Sequence, residues 1–247
     1  MVTYDGATER ELARRLDLPR VALYTTIDST MDVAHALANE GAPSGTLVLA
    51  DAQTRGRGRG GKSWMSGAGA GVWMTLVERP NNLEAIDVLS LRIGLRVARA
   101  FDRFAAQTVQ IKWPNDLMLA DGKVAGILVE ARWREQRPEW VAIGIGVNLA
   151  PGAEGLGGAS LGVGLRRTDV LEELLPAMRA AARVVGPLDE GDLEAFASRD
   201  WARGRRAILP HAGVVTGLSP DGALLIQTLD GTVACASGSL VLEGAET

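Results

Sequence analysis

The feature that most constrains this chain is a basic, glycine-rich stretch between two strand-like segments. Residues 51–64 read DAQTRGRGRGGKSW, with four cationic side chains and four glycines. Clustered Arg and Lys bind phosphate and carboxylate groups, and glycine lets the backbone approach a ligand closely. Residues 54–62, the basic loop, are therefore interpreted as an anion-handling loop. Because like charges repel and glycine has a large backbone entropy, we predict a mobile loop that an anion orders.

Two phosphate motifs fit this stretch and are rejected on context. Gly56-x4-Gly61-Lys62-Ser63 fits a Walker A motif, and Gly56-x-Gly58-x2-Gly61 fits a dinucleotide fingerprint. Both need a helix that begins where the loop ends. Residues 65–71 contain three glycines and precede the strand-like residues 72–77, so no helix is expected there. A solvated Arg/Gly surface loop and an RGG-type RNA-binding segment remain open alternatives.

Composition is that of an ordinary globular chain. The 247 residues are 47% hydrophobic and 23% charged, with a net charge of −4, so the chain as a whole is not a polyanion binder. Cys235 is the single cysteine and is expected to be a buried hydrophobic residue; with two histidines besides, neither a disulfide framework nor a zinc site is predicted. No apolar run has the length of a membrane span and no signal peptide is recognised, which predicts a cytoplasmic location.

Residues 1–202 are predicted to form an α+β domain. Its sheet is expected to be mixed and mostly antiparallel, with helices covering one side and Gly94 allowing close approach of one helix to the sheet. Asp121-Gly122 has the signal of a two-residue hairpin turn, and Ser29 or Thr30 is expected to cap the second helix. The predicted helices are 9–16, 31–40, 83–105, 169–185 and 191–201, and the predicted strands are 21–27, 46–50, 72–77, 109–113, 117–120, 123–130 and 139–148.

The C-terminal part has a different pattern. Residues 153–164 are glycine-rich and are expected to form a flexible connection, and Pro176 is expected to kink or split the helix that follows. Residues 203–247 are predicted to form a small β-barrel, with Asp221-Gly222 and Asp230-Gly231 as hairpin turns. The strands predicted for this domain are 207–209, 213–216, 223–226, 232–235 and 240–242.

Five local signals occur in an order that resembles the motifs of biotin protein ligases, over roughly residues 24–150. They are Asp28-Ser-Thr30, Gln53-x3-Arg57-Gly-Arg59-x-Gly61-x2-Trp64, Lys112-Trp-Pro-Asn-Asp116, Lys123-x-Ala-Gly126-Ile-Leu and Gly144-Ile-Gly-Val-Asn148. The resemblance implies a class II synthetase-like catalytic domain and an SH3-like C-terminal barrel. It also implies that biotin and ATP form biotinyl-5′-adenylate, and that biotin is then transferred to a lysine of a biotin carboxyl carrier protein domain.

The candidate residues suit that chemistry. Biotin and ATP are both anions, so an enzyme that joins them must gather cations, and a neighbouring carboxylate can anchor Mg²⁺. Lys123, Arg57 and Lys112 are the predicted catalytic residues, and Asp116 is the predicted metal ligand. The resemblance assigns biotin or adenylate contacts to Ser29, Thr30, Gln53, Arg57, Arg59 and Lys123, and the ATP and metal side to Lys112, Asn115, Asp116 and Asn148. Gly58, Trp64 and Gly126 are further predicted cofactor-binding residues, with Trp64 expected to form part of an apolar wall.

Several of these residues have structural explanations that stay open. Ser29 and Thr30 are good helix caps, Lys123 follows a turn and suits a solvated lysine, Asn115 and Asp116 suit turn chemistry, and Trp64 and Trp113 suit packing. Two function classes also compete with the biotin ligase. A lipoate protein ligase would share the fold and chemistry, and a non-enzymatic RNA-binding protein would use the basic loop.

The chain departs from the family pattern in two respects. Met31 stands where the family usually has Asn, and only some 20 residues precede the first predicted strand, where many members carry a DNA-binding domain. We therefore expect a ligase without the regulatory half. Its expected partner is the biotin carboxyl carrier protein domain of a carboxylase; it is not expected to bind specific DNA or a membrane, and a monomer or weak homodimer is expected.

Overall fold

The computed structural model describes residues 2–80, 86–120, 122–135, 137–150, 158–162 and 164–244. Two β-sheets and five α-helices lie within these ranges. The helices are α1 Glu9–Arg15, α2 Thr30–Asn39, α3 Ile86–Phe101, α4 Arg167–Ala182 and α5 Glu190–Arg199. The strands are β1 Arg20–Ile27, β2 Thr46–Gln53, β3 Gly71–Glu78, β4 Gln110–Lys112, β5 Asp116–Leu119, β6 Gly122–Arg134, β7 Arg137–Asn148, β8 Arg206–Leu209, β9 Gly213–Leu218, β10 Leu224–Thr228, β11 Gly231–Cys235 and β12 Val241–Leu242.

The larger sheet has seven strands in the order β1-β2-β3-β7-β6-β5-β4. Only the β1–β2 pair is parallel among these neighbours, so the predicted mixed and mostly antiparallel α+β sheet is confirmed. The register places Gly146 of β7 between Trp73 of β3 and Gly126 of β6. This central row becomes part of the floor of the candidate site.

Helices cover both faces of this sheet, so the prediction that they cover one side is wrong. Leu47 and Leu49 of β2 belong to the main core together with residues of α1, α3 and α4. Val48 points to the other face, where it packs in a smaller cluster with Ala34 and Ala38 of α2. Successive residues of a strand face opposite sides of the sheet, so an unbroken apolar run such as residues 47–50 of β2 needs cover on both faces.

The second helix begins and ends as its sequence predicts. The Ser29 hydroxyl accepts a hydrogen bond from the Met31 backbone N–H at 3.2 Å, and Gly41 follows the helix with φ of +89°. A side-chain cap and a left-handed glycine satisfy the groups that a helix leaves unpaired at its two ends. α2 contacts β2, β3 and β7. The N–H of Thr30, its first residue, donates to Gln53 at the end of β2, so the N-terminus of α2 lies beside the point where the basic loop leaves that strand.

The longer helices differ in detail from their predictions. α3 ends at Phe101 rather than 105, and residues 83–85 of the predicted helix lie outside the described ranges. Gly94 does face the sheet, but a Cβ there would lie 3.6 Å from Ile127 Cδ1, which is ordinary contact, so close approach does not require glycine. α4 continues through Pro176 without being split. Buried side chains on both sides of Pro176, including Leu174 and Met178, hold that helix against the core.

All five strands predicted after residue 203 are present. They form a second antiparallel sheet in the order β11-β10-β9-β8-β12, and no pairing of β11 with β12 closes it into a barrel within the described residues. This sheet is joined to the larger part of the molecule by a continuous core that includes Leu224 and Leu242. The Trp113 indole N–H also donates to the Gly222 carbonyl at 3.0 Å.

Two predicted connections fall partly outside the described residues. The hairpin turn between β5 and β6 was predicted at Asp121-Gly122. In the structure Gly122 already pairs with Leu119 as part of β6, so the turn precedes Gly122. Asp121 itself lies outside the described ranges. Most of the predicted connection 153–164 is outside them as well. Among the helices that the structure describes, none combines the length and the apolar character needed to cross a membrane.

Candidate active site

The basic loop is a narrow hairpin rather than the start of a helix. Isolated bridges pair Gln53 with Ser66 and Arg57 with Ser63, and the Trp64 N–H donates to the Gly56 carbonyl at 2.8 Å. A single 3₁₀ turn spans Arg59–Gly61, and the next regular element in this fully described stretch is β3. The rejection of the Walker A and dinucleotide motifs is thereby confirmed, because neither has its helix.

Polar side chains join the loop to the N-terminus of α2. Gln53 accepts a hydrogen bond from the Thr30 N–H at 2.7 Å, and its amide donates to the Ser66 hydroxyl, also at 2.7 Å. The Thr30 hydroxyl accepts from Thr75 of β3 at 2.9 Å. Ser29 is therefore a helix cap, as its structural explanation proposed, while Gln53 and Thr30 form a fixed polar corner at the end of the loop.

Trp64 lies on the sheet at the base of the loop. A Cβ added to Gly126 would lie 2.8 Å from Trp64 Cζ3, and one added to Gly146 would lie 2.8 Å from Trp64 Cζ2. The indole also meets Trp73 edge to face, with 6.4 Å between ring centroids. Trp64 Nε1 is buried and has no hydrogen-bond partner among the described residues. The ring is thus both a packing residue and an apolar wall of the cavity beside it.

Two lysines and one carboxylate lie next to that wall. Lys123 Nζ forms an ion pair with Asp116 Oδ1 at 2.7 Å and lies 4.8 Å from the Trp64 ring centroid. Burial lowers the pKa of Lys112, and the charges of Lys123, Lys62 and Arg205 lower it further against the opposing effect of Asp116. Lys112 is thus surrounded by other cations, in a region suited to an anion.

The side chains of the two predicted asparagines both form hydrogen bonds to backbone carbonyl groups. The Asn115 amide donates to the Ile127 carbonyl at 2.8 Å, while the Ile127 N–H donates back to the Asn115 carbonyl at 2.9 Å. Asn148 is 1% exposed and donates from Nδ2 to the Lys123 carbonyl at 3.2 Å, but its Oδ1 has no partner among the described residues. Asn115 therefore fixes the turn before Asp116, and Asn148 fixes the backbone of Lys123.

The structure brings almost all of the predicted residues together. An inner cavity of about 50 Å³ opens beside a cleft of about 440 Å³ that adds Lys112 and Asp116 to its lining. Asn148 lines neither space and is the one predicted site residue that lies behind the site. The predicted residues that line the inner cavity are Ser29, Thr30, Gln53, Arg57, Gly58, Arg59, Trp64, Asn115, Lys123 and Gly126.

Acidic residues that the sequence argument overlooked neutralise part of the basic loop. Arg57 donates to Asp32 Oδ1 at 2.8 Å and to Glu130 Oε1 at 2.5 Å, and Arg55 pairs with Asp28. The prediction of a mobile loop rested on repulsion among the loop cations, and these ion pairs reduce that repulsion. Residues two apart on a strand face the same side, so Glu130 lies on the same face of β6 as Leu128, which lines the cavity. This alternation is the sequence signal that could have indicated Glu130 near the site.

Met31 gives the inner cavity an apolar side. Its side chain is 2% exposed, and a Cβ added to Gly144 would lie 2.8 Å from the Met31 methyl carbon. The glycine in β7 therefore leaves the space that the thioether fills, and glycine inside a strand is a signal for such close approach. Met31 and Trp64 both line the inner cavity and give it apolar surface.

The chain is similar to proteins of known activity. The Biotin/lipoate A/B protein ligase family matches residues 23–148. The Bifunctional ligase/repressor BirA of Bacillus subtilis is 43% identical over 127 residues, which are 51% of this chain and 39% of the relative. The Biotin--[acetyl-CoA-carboxylase] ligase of Paracoccus denitrificans is 42% identical over 132 residues, 50% of this chain and 52% of the relative. This chain thus spans about half or less of the length of either relative.

A solved structure extends the similarity over most of the fold. The biotin protein ligase from Aquifex aeolicus in complex with biotin and ATP superposes with a TM-score of 0.73 at 25% identity, covering 92% of this chain and 99% of the other. The match therefore includes the C-terminal sheet as well as the larger sheet and its helices. Since the family match alone covers half of the chain and coincides with the site described above, this chain belongs to the Biotin/lipoate A/B protein ligase family.

Proposed function

We propose that this chain is an ATP-dependent biotin protein ligase. The proposal depends on two adjoining spaces. One is a narrow cavity with Trp64 as an apolar wall, and the other is a cationic cleft lined by Lys112 and Lys123. A ligand with a compact ring and a carboxylate fits such a site, because the ring can lie in the cavity while the acid meets the cations. The Aquifex aeolicus relative, whose complex contains biotin and ATP, supports the same assignment.

The first step joins two anions. A biotin carboxylate oxygen attacks the α-phosphorus of ATP, the bond to the β-phosphate oxygen breaks, and pyrophosphate leaves with that electron pair. Lys123, Arg57 and Lys112 are the cations that we propose to offset the repulsion and the charge that develops, and Arg59 lies at the same opening. The corner formed by Thr30 and Gln53 is proposed to orient the polar part of the ring.

Mg²⁺ is the metal implied for ATP chemistry, and Asp116 suits it. Asp116 Oδ1 pairs with the Lys123 ammonium at 2.7 Å, and Asp116 lines the cleft, so its carboxylate oxygens lie beside the site proposed for the phosphates. Mg²⁺ is commonly bound through one or two carboxylates, with phosphate oxygens and water completing its shell. The described residues hold no group of three His, Cys, Asp or Glu side chains that would form a metal site by themselves. Asp116 would therefore hold Mg²⁺ together with ATP, and the ion would neutralise phosphate charge.

The second step transfers the acyl group. The amine of a carrier lysine attacks the carbonyl carbon of the mixed anhydride, AMP leaves, and the amine proton is released as the amide forms. We propose the biotin carboxyl carrier protein domain of acetyl-CoA carboxylase as the acceptor, which the name of the Paracoccus denitrificans relative supports. Specific DNA is not proposed as a partner, since the net charge is −4, and the expected state is a monomer or weak homodimer.

The proposal includes a division of the chain at residue 203. Residues 1–202 would form the catalytic domain and residues 203–247 an SH3-like barrel. The five short antiparallel strands of the second sheet support the smaller unit. Arg59 Nη1 donates to the Gly238 carbonyl at 2.5 Å, so the C-terminal part would also help to position the basic loop.

A direct assay tests the assignment. The protein is incubated with ATP, Mg²⁺ and either biotin or lipoate, pyrophosphate release is measured, and mass spectrometry locates the label on a carrier domain. We expect biotin-dependent pyrophosphate release and one modified lysine. Lys123→Ala should reduce the rate about a hundredfold, a common loss when one charge-stabilising group is removed. Arg134→Ala is the matched control, because Arg134 pairs with Glu139 on the same strand pair away from the site.

Two results would overturn the assignment, and a third would overturn the roles given to two residues. Activation of lipoate without activation of biotin would identify the other activity that the family name includes. Binding of RNA without turnover of either acid would favour the non-enzymatic alternative. Wild-type rates in Lys123→Ala and Arg57→Ala would remove both residues from the reaction.

A further inference from the structure

A chain of hydrogen bonds leads from the core to the basic loop. Trp140 of β7 is 3% exposed, and its indole N–H donates to His35 Nδ1 at 2.9 Å. His35 Nε2 lies 2.9 Å from Glu130 Oε2, and the other oxygen of Glu130 accepts from Arg57 at 2.5 Å. A buried side chain in the second hydrophobic cluster is thus connected through two polar side chains to a cation of the loop.

The first bond fixes the direction of the others. An indole nitrogen can only donate, so His35 Nδ1 must be the acceptor and carries no proton. The proton of the neutral ring is then on Nε2, which donates to Glu130. Both oxygens of that carboxylate are occupied by donors on different elements, one on α2 and one on the loop. Glu130 is consequently held in one orientation, with Oε1 directed to Arg57.

Fixing Arg57 positions more than one side chain. Arg57 pairs with Ser63 across the loop hairpin, and the Trp64 N–H is bonded to the Gly56 carbonyl, so Trp64 and Arg57 move as parts of one small unit. Glu130 side-chain exposure is 29%, against 57% for Asp32, the other carboxylate bonded to Arg57. The ion pair of Arg57 with Glu130 is therefore less screened by solvent than its pair with Asp32. Glu130 is also the partner that is connected to the core through His35 and Trp140.

We propose that Glu130, oriented by His35 and Trp140, is a positioning residue that holds the basic loop over the candidate site through Arg57. This inference rests on the proposed function for its kinetic consequence, but the contact itself requires no ligand. Glu130 lies on the same strand face as Leu128, which lines the cavity, so the bond closes the loop onto the rim of the site. Loss of the bond should free the loop while leaving the sheet intact.

Limited trypsin digestion of the empty protein tests the contact. Cleavage after Arg59 and Lys62, located by mass spectrometry, reports on loop opening and leaves the Arg57 position free for substitution. Glu130→Gln should increase the cleavage rate about fivefold, and Asp32→Asn should increase it less, in keeping with an exposed pair. Glu139→Gln is the matched control, since it removes a carboxylate that pairs with Arg134 on the same two strands and touches no loop residue.

A double-mutant cycle separates positioning from general destabilisation. If Glu130 acts through Arg57, Glu130→Gln should have no further effect in an Arg57→Ala background, whereas an independent structural effect would add to it. Trp140→Phe, which keeps an aromatic ring but removes the N–H donor, should cause a smaller increase in cleavage than Glu130→Gln. The midpoint of urea unfolding shows whether each variant is folded, and Glu130→Asp provides a second variant that keeps the charge but shortens the reach.

Kinetics with biotin and ATP then connect the contact to the reaction. Glu130→Gln should raise the KM for biotin several-fold with a smaller change in kcat, because a loop that is open more often lowers the competent fraction. Equal cleavage rates in Glu130→Gln and wild type, or additive effects in the cycle, would overturn the positioning role. A protein that activates no biotin but shows the predicted cleavage pattern would refute the proposed function and leave the contact standing.

Discussion

Trp64 packs directly against Gly146, in a space that exists only because β7 has no side chain at that position. A Cβ on Gly146 would lie 2.8 Å from Trp64 Cζ2 and closer still to Cε2 and Nε1, distances that real Cβ atoms do not adopt. Gly126, the partner of Gly146 in the β6–β7 register, makes the same allowance from the neighbouring strand. Two glycines that are paired in register thus leave the space in which one indole ring packs against the sheet.

Gly146→Ala should therefore displace Trp64 and damage the site. We expect at least about a tenfold loss in kcat/KM for biotin, since small misplacements of binding groups are costly to reaction rates. Stability should fall by about 1–3 kcal/mol, the usual cost of overpacking. The change in Trp fluorescence and the kinetics would be measured together.

Gly94→Ala is the control for that substitution. A Cβ there would be in ordinary contact at 3.6–3.9 Å, and alanine favours a helix interior by about 0.5–1 kcal/mol over glycine. Its stability should match or exceed that of wild type, and its activity should be unchanged. If Gly146→Ala also kept wild-type stability and activity, the packing of Trp64 against Gly146 would have no functional importance.

Local sequence signals predicted the elements well. The Ser29 cap, the glycine after α2, the alternating strands and the five short strands after residue 203 each depend on neighbouring residues, and all are present. The cationic cleft could likewise be predicted, because its lysines belong to motifs that resemble those of a known family. Residue identity and spacing were sufficient for these features.

Contacts between distant residues could not be predicted in the same way. Glu130 and Arg57 are 73 residues apart, and nothing near either residue indicates that they pair. The placement of α2 on the second face of the sheet depends on which side of β2 each helix covers, a choice made only when the layers assemble. The charges of the basic loop could therefore be predicted from the sequence, whereas the carboxylates that pair with Arg55 and Arg57 could not.

A second prediction concerns Arg92, a buried cation remote from the loop. Its side chain is 1% exposed, and the guanidinium donates to the carbonyls of Gly186 at 3.1 Å and Pro187 at 2.8 Å and to Asp192 at 3.3 Å. Arg92→Met would leave these groups unpaired at the join between α4 and α5. We expect a loss of about 3–5 kcal/mol in the free energy of unfolding, measured with urea.

Arg96→Met on the exposed face of the same helix is the comparison for Arg92. It should change the free energy of unfolding by less than about 0.5 kcal/mol, as surface substitutions usually do. Equal urea midpoints for the two variants would show that Arg92 does not hold the α4–α5 connection.

A third prediction is a pH dependence of stability due to Asp200. Burial raises the pKa of this carboxyl to about 6, against the opposing hydrogen bond from the Ala202 N–H and the charge of Arg203. The folded-state pKa is thus above the unfolded value, so the folded state binds more protons between about pH 4 and 6 and loses stability as pH rises through that window. The total loss is about 3 kcal/mol at neutral pH.

Asp200→Asn isolates this contribution. Its amide oxygen can accept the Ala202 N–H that Oδ1 accepts at 2.9 Å in the wild type, and it does not ionise. The difference in unfolding free energy between the variant and wild type should grow from about pH 4 to 6 and then stay constant. A difference that is the same at pH 4 and pH 7 would show that Asp200 is not the titrating group.

The last prediction concerns the response of the basic loop to ligand. Ordering its nine residues costs on the order of 10 kcal/mol of backbone entropy, and charge-assisted hydrogen bonds offset about 1.5–3 kcal/mol each. Arg55 and Arg57 already have carboxylate partners, whereas Arg59 bonds only a carbonyl and Lys62 has no ion pair within the described residues. The ion pairs therefore offset part of the entropy cost of ordering the loop when no ligand is bound. An anionic ligand would supply the negatively charged partners that Arg59 and Lys62 lack within the described residues.

Trypsin should reveal that division within the loop. In the empty protein we expect cleavage near residues 55–62 with the sheet intact, faster after Arg59 and Lys62 than after Arg55 and Arg57, since opening must first break the ion pairs of the latter two. Biotin with ATP should slow the cuts after Arg59 and Lys62 about tenfold or more, through bonds to the new phosphate and carboxylate oxygens. The cut after Arg55, whose side chain is 77% exposed and outside the inner cavity, should slow least. Equal rates with and without both ligands would mean that ligand does not close the loop, and the loop would then be a fixed part of the site rather than its lid.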